Sequence, residues 1–247
     1  MKTHLMFGAL LLAVAANTAT AAGQDPLPSG STVAAKLTAQ DAQRQHLAGG
    51  YRGTRRYVLD NYRMNKHAEI VVRVECAADG TKHFELVSQE GWKGAWKHVV
   101  SKMLASEAEA SQSEVKKRTR LTLDNYDFNM VRTALLGDRM AYVVDIVPKR
   151  DEERLIRGQA WIDAQDYAVV RIEGSPAKNP SFWVRSVHFV HTYQKSGQLW
   201  FPETTLSTTE VRMFGDTTLN IYYFDYAPNE LPAAETASAA SPGGVTP

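Results

Sequence analysis

The chain's apolar and polar positions alternate, over most of its length, with the period of two that a half-buried strand produces. Ile70, Val72 and Val74 interleave with Val71, Arg73 and Glu75, and after Ala78-Asp79-Gly80 come His83-Phe84-Glu85-Leu86. A two-residue turn at Asp79-Gly80 sets Arg73 opposite Leu86 and mixes the two faces. A three-residue loop with Gly80 left-handed instead pairs Val74 with Phe84, Val72 with Leu86, Arg73 with Glu85 and Glu75 with His83. Only the second register keeps one face apolar and the other charge-matched, so it is the expected one.

The same alternation predicts strands over Phe128–Leu135, Met140–Val147, Leu155–Ile162, Ala168–Glu173, Phe182–Tyr193, Leu199–Val211 and Thr217–Tyr226. Turn-forming residues separate them at Gly137-Asp138, at 163–166, at Lys195-Ser196-Gly197 and at Gly215-Asp216. Long strands joined by tight turns make an antiparallel meander rather than βαβ units. The expected fold is therefore mostly β (α+β): a strongly curved antiparallel sheet or open barrel, with an N-terminal helix and an inserted amphipathic helix as cover. A half-closed sheet with an apolar concavity commonly holds a hydrophobic ligand.

Two segments break the period. Val33 to Leu47 is rich in helix formers, with Thr32 placed as N-cap and Gly49-Gly50 as the stop. From about Ala95 to Ala110, Trp92, Trp96, Val99, Val100, Met103 and Leu104 recur at helical spacing, opposite Lys97, His98, Ser101 and Lys102. This stripe is read either as a helix packed on a core or as a movable lid over a cavity. On the second reading the lid is Trp92, Trp96, Val100 and Met103. The groove wall is then Ile70, Val72, Val74, Phe84 and Leu86 with Tyr142, Val144 and Trp161.

The N-terminus adds a destination. Lys2, an apolar run from Leu5 to Ala16 and the small residues around Ala21-Ala22 have the layout of a cleavable signal peptide over 1–22, so export is expected. The run is too short for a spanning helix. A leader over 23–32, one domain over 33–227 and an Ala-, Ser-, Pro- and Gly-rich disordered tail over 228–247 complete the expected organisation.

Charge narrows the partners. Of 28 basic and 27 acidic residues, the signal peptide holds only Lys2, so the exported chain is neutral and nucleic acid is not expected. Cys76 is the single cysteine, so no intrachain disulfide forms. His188 and His191, three apart on a strand, point to opposite faces and are expected at the surface or rim. There is no nucleophile elbow, no zinc-protease helix and no phosphate-cradling loop. The basic run Lys116-Lys117-Arg118 and the stretch from Lys149 to Arg154 read as solvated segments. Aromatics such as Phe182-Trp183 and Tyr222-Tyr223-Phe224 are contiguous, so both sheet faces carry apolar bulk and both are expected to be covered. The sequence implies no enzyme, metal or cofactor.

The order of these segments, with the stretches Leu155 to Asp163, Ala168 to Gly174, Asn179 to Trp183, Leu199 to Glu203 and Phe214 to Thr218, resembles the LolA-like outer-membrane lipoprotein-sorting group. That resemblance implies a half-open barrel closed by helices and a periplasmic location. It also implies acyl chains of lipids or lipoproteins as the cargo. The alternative it allows is a non-enzymatic module on the same fold that binds an envelope protein partner.

Overall fold

The computed structural model describes residues 26–228 apart from 48, 112 and 214. The expected signal peptide and almost all of the expected tail lie outside the described residues. Ten strands form one sheet: β1 (Tyr51–Asn61), β2 (Lys66–Cys76), β3 (Lys82–Gly91), β4 (Tyr126–Leu136), β5 (Arg139–Pro148), β6 (Ile156–Asp163), β7 (Val169–Pro176), β8 (Val184–Ser196), β9 (Leu199–Val211) and β10 (Gly215–Pro228). Their order is β3-β2-β1-β10-β9-β8-β7-β6-β5-β4, and every neighbouring pair is antiparallel.

The first hairpin has the register that charge matching demanded. Val72 faces Leu86, Arg73 faces Glu85, Val74 faces Phe84 and Glu75 faces His83, with Gly80 at φ 90°. Arg73 donates to Glu85 at 2.6 Å on the outer face. β1 was not anticipated. Its inward row reads Gly53, Arg55, Tyr57, Leu59, Asn61, so a buried arginine and a buried asparagine interrupt the apolar signal.

Because β1 pairs with β10, the chain's first and last strands meet in mid-sheet, and β3 and β4 become the two free edges. The connection between those edges is helical. It holds a π-helical turn (Trp96–Val100), α2 (Ser101–Ala110) and α3 (Ser113–Thr119). The Ser101 N–H reaches back five residues to the Trp96 carbonyl, which marks the π geometry. This strap runs from one edge of the open sheet to the other. Glu107 on α2 binds Arg55 of β1 and Lys82 of β3. Glu109 binds Arg154, and Arg118 of α3 binds Glu152, in the turn between β5 and β6. The strap is thus tied to both halves of the sheet.

The N-terminal helix α1 (Gly30–Leu47) starts earlier than predicted, inside the expected leader. Ser29, not Thr32, caps it, its hydroxyl accepting the Thr32 N–H at 3.1 Å. Val33, Ala34 and Leu37 are fully buried against Phe128, Val144 and Ile162. A separate core lies beneath the strap, where Val100 and Leu104 pack on Tyr57, Ile70, Val72 and Ile221.

Between these two covered regions the inner face is only half-buried. β8 and β9 contain no buried residue. The outer face of this region is bare, contrary to expectation: Phe182 is 74% exposed, and Trp183, Leu206, Tyr222 and Phe224 are exposed too. Among the described residues no second layer covers them; cations do part of that work, Arg56 lying over Tyr222 and Arg212 over Phe182.

Candidate functional site

Following register inward across the middle strands gives the floor of the groove. Arg55 pairs with Tyr223 and Tyr57 with Ile221. Ile221 pairs with Thr205 and Leu219 with Ser207. Thr205 pairs with His191 and Ser207 with Phe189. The floor is therefore part hydroxylic and part aromatic, between two apolar cores.

A cavity of about 450 Å³ lies between this floor and the strap, lined from above by Met103, Leu104 and Glu107 and from below by Arg55, Ile221 and Tyr223. That volume falls within the roughly 300–1,000 Å³ typical of small-molecule sites. At its edge Arg55 donates to both oxygens of Glu107, at 2.6 and 2.9 Å. Lys82 donates to the same carboxylate at 2.5 Å. Arg55 is only 5% exposed, lies over the Tyr223 and Phe84 rings and reaches the Tyr57 hydroxyl at 3.4 Å. His191 and Thr205 are hydrogen-bonded, and Tyr223 shares Thr205 at 3.1 Å.

Burial and the charge of Arg55 together set the proton affinities here. Burial would raise the Glu107 carboxyl, but the hydrogen bonds and charge of Arg55, with those of Lys82, reverse this and bring it to about 2. Burial, aided by the Arg55 charge, pushes His191 down to about 4 and keeps the ring neutral. Burial also raises Tyr51 and Tyr57 to about 12, so both remain neutral hydroxyls. His191 is therefore no surface group: it sits on the groove floor, while His188 points outward toward Glu173.

The sequence-predicted wall is divided by the structure. Ile70, Val72 and Val74 are fully buried in the core under the strap, with Phe84 against them. Leu86 shares their row but is 39% exposed, because β3 is an edge and its register shifts just beyond Leu86. Tyr142 and Val144 face inward at the other core, beneath α1, where Tyr142 stacks on Tyr167. Trp161 belongs to neither. It pairs with Val143 and packs with Ala141 and Val143 on the outer face, since a one-residue step along a strand reverses the side chain's direction.

Of the predicted lid, Val100 is fully buried and Trp92 and Trp96 pack at the edge of the same core. Met103 is 37% exposed yet lines the cavity. Arg55, Lys82, Glu107, His191, Thr205 and Tyr223 were missed. The signal for Arg55 was its place in β1's inward row. Among the described residues no three His, Cys, Asp or Glu side chains gather to hold a metal. None of the helices there is long and apolar enough to cross a membrane.

With this geometry in view, the chain was compared with known proteins. No protein-family model and no curated protein matches it. Solved structures do. A putative outer-membrane lipoprotein-sorting protein domain from Vibrio parahaemolyticus matches at 13% identity and TM-score 0.46, over 83% of this chain and 94% of that one. A LolA superfamily protein from Nitrosomonas europaea matches at 9% and 0.41, over 83% and 96%. A DUF1329 family protein from Desulfovibrio piger matches at 11% and 0.47, over 82% and 94%. Two of these neighbours carry the name of the group that the sequence resembles. Likenesses this distant transfer no ligand, partner or residue role, and the reading of the groove stands on its own geometry.

Proposed function

We propose that this protein is a periplasmic carrier or chaperone that shelters the acyl chain of a lipid or lipoprotein in the groove between sheet and strap. The observation that supports this reading is the cavity of about 450 Å³ between the strap and β1 and β10, which opens beside the middle strands β8 and β9, where no residue is fully buried. Each methylene moved from water onto Ile221, Leu104 and Met103 stabilises the complex by about 0.8 kcal/mol. A chain of eight methylenes thus supplies roughly 6 kcal/mol before the cost of association. The strap is the moving element, since a carrier that binds by burial releases cargo only by opening. Besides the packing of Val100 and Leu104 it is held by ion pairs, and such pairs can exchange partners.

Native mass spectrometry and lipid extraction of the purified protein, with titration of a fluorescent fatty acid, test the proposal. The expected result is co-purifying lipid displaced by the probe. Lipid-free protein that binds no probe, and that instead co-purifies with one stoichiometric envelope protein, would replace the carrier by the protein-binding alternative.

A further inference from the structure

We infer that the ligand of this groove is a single-chain amphiphile with an anionic head, a carboxylate or a phosphate ester, which takes the place of the Glu107 carboxylate between Arg55 and Lys82. The inference rests on the carrier reading and specifies its substrate class.

Arg55 occupies an inward row beside Tyr57 and Leu59, where a cation is costly unless an anion accompanies it. Its anion does not come from a neighbouring strand. Glu107 is supplied by the strap and grips Arg55 through two hydrogen bonds, while Lys82 of the edge strand shares the same carboxylate. Glu107 is also the only acidic side chain lining the cavity among the described residues. Arg154, which lines the cavity with Arg55, likewise has a strap carboxylate, Glu109 at 2.7 Å.

Both carboxylates leave with the strap. An open groove would then present Arg55, Lys82 and Arg154 at one end, beside the Tyr57 and Tyr223 hydroxyls, without a lining acid. An incoming anion restores the charge balance that opening removes, so ligand and strap compete for one position. The alkyl chain then lies along Ile221 of the floor, and the cavity's size suits one chain rather than several.

Competition against a fluorescent fatty acid on the delipidated full chain tests this, with four probes of equal chain length. These are palmitate, palmitoyl lysophosphatidate, the zwitterionic lysophosphatidylcholine and uncharged monopalmitin. At least one of the two anionic probes is expected to bind about tenfold or more tightly than monopalmitin, the size of one charge-assisted contact. Which anionic probe wins distinguishes a carboxylate head from a phosphate head. Glu107→Gln, which removes the internal competitor, should raise affinity for the preferred anionic probe about tenfold and leave monopalmitin unchanged. Lys82→Met, at a sheet edge where folding tolerates it, should lower anionic binding alone. Equal binding of all four probes, or a Glu107→Gln gain equal for palmitate and monopalmitin, would overturn the anionic head while leaving the carrier intact. Absence of binding by every probe, with no lipid on the purified protein, would remove the carrier reading itself.

Discussion

At the scale of single residues, the groove contains two groups whose ionisation is tied to folding with the same sign. Glu107 falls from 4.5 to about 2 in the folded protein, so the native state favours its charged form. That stability is fully present above about pH 4.5 and is lost as pH falls toward 2. It amounts to something on the order of 2 kcal/mol. His191 falls from 6.5 to about 4, so the native state favours its neutral form. Its contribution is present above about pH 6.5 and is lost on the way to 4. Denaturant midpoints measured from pH 8 to 3 should therefore decline in two stages. His191→Gln is expected to flatten the upper stage and Glu107→Gln the lower one. An upper stage unchanged in His191→Gln would show that the ring does not sit in the environment described here.

At the scale of elements, the sheet's curvature has a local cause. Gly158 of β6 and Gly174 of β7 pair directly. A Cβ on Gly158 would stand 2.1 Å from the Glu173 carbonyl oxygen, and one on Gly174 would stand 2.3 Å from that of Arg157. The backbones therefore approach where a side chain would be, which is how a sheet turns a corner. Gly158→Ala should cost about 3 kcal/mol of stability, the upper range for overpacking, read as a lowered denaturant midpoint. A neutral result would mean the corner is not held there. The same elements explain what was legible in the sequence. The register of the first hairpin could be read because one alternative left Arg73 opposite Leu86. The inner and outer faces of β6 could not, because Ala160, Trp161 and Ile162 are all apolar and composition does not tell odd from even. β1 escaped notice for the opposite reason: Arg55 and Asn61 break its apolar row. The groove was expected to be wholly apolar, yet Thr205, Ser207 and His191 line its floor. A polar row on an inner face looks like an outer one until the register of its neighbours is known.

At the scale of the whole molecule, two cores with no buried bridge between them among the described residues imply two units that open separately. One core joins α1 to β4–β7 through Leu37, Phe128, Val144 and Ile162. The other joins the strap to β1–β3 and β10 through Val100, Leu104, Ile70 and Val72. β8 and β9 lie between them without a buried side chain, so little packing transmits the loss of one core to the other. Leu104→Ala and Leu37→Ala each remove a buried leucine and should cost about 2–5 kcal/mol. Hydrogen exchange followed by mass spectrometry should show the first substitution releasing the amides of α2 and β1–β3 while β5–β7 keep their protection. The second should do the reverse. A carrier needs this arrangement, because the strap has to lift from its own core while the other holds the sheet together. If either substitution instead lowers protection evenly across all ten strands, the molecule opens as one unit, and cargo release would require global unfolding rather than movement of the strap.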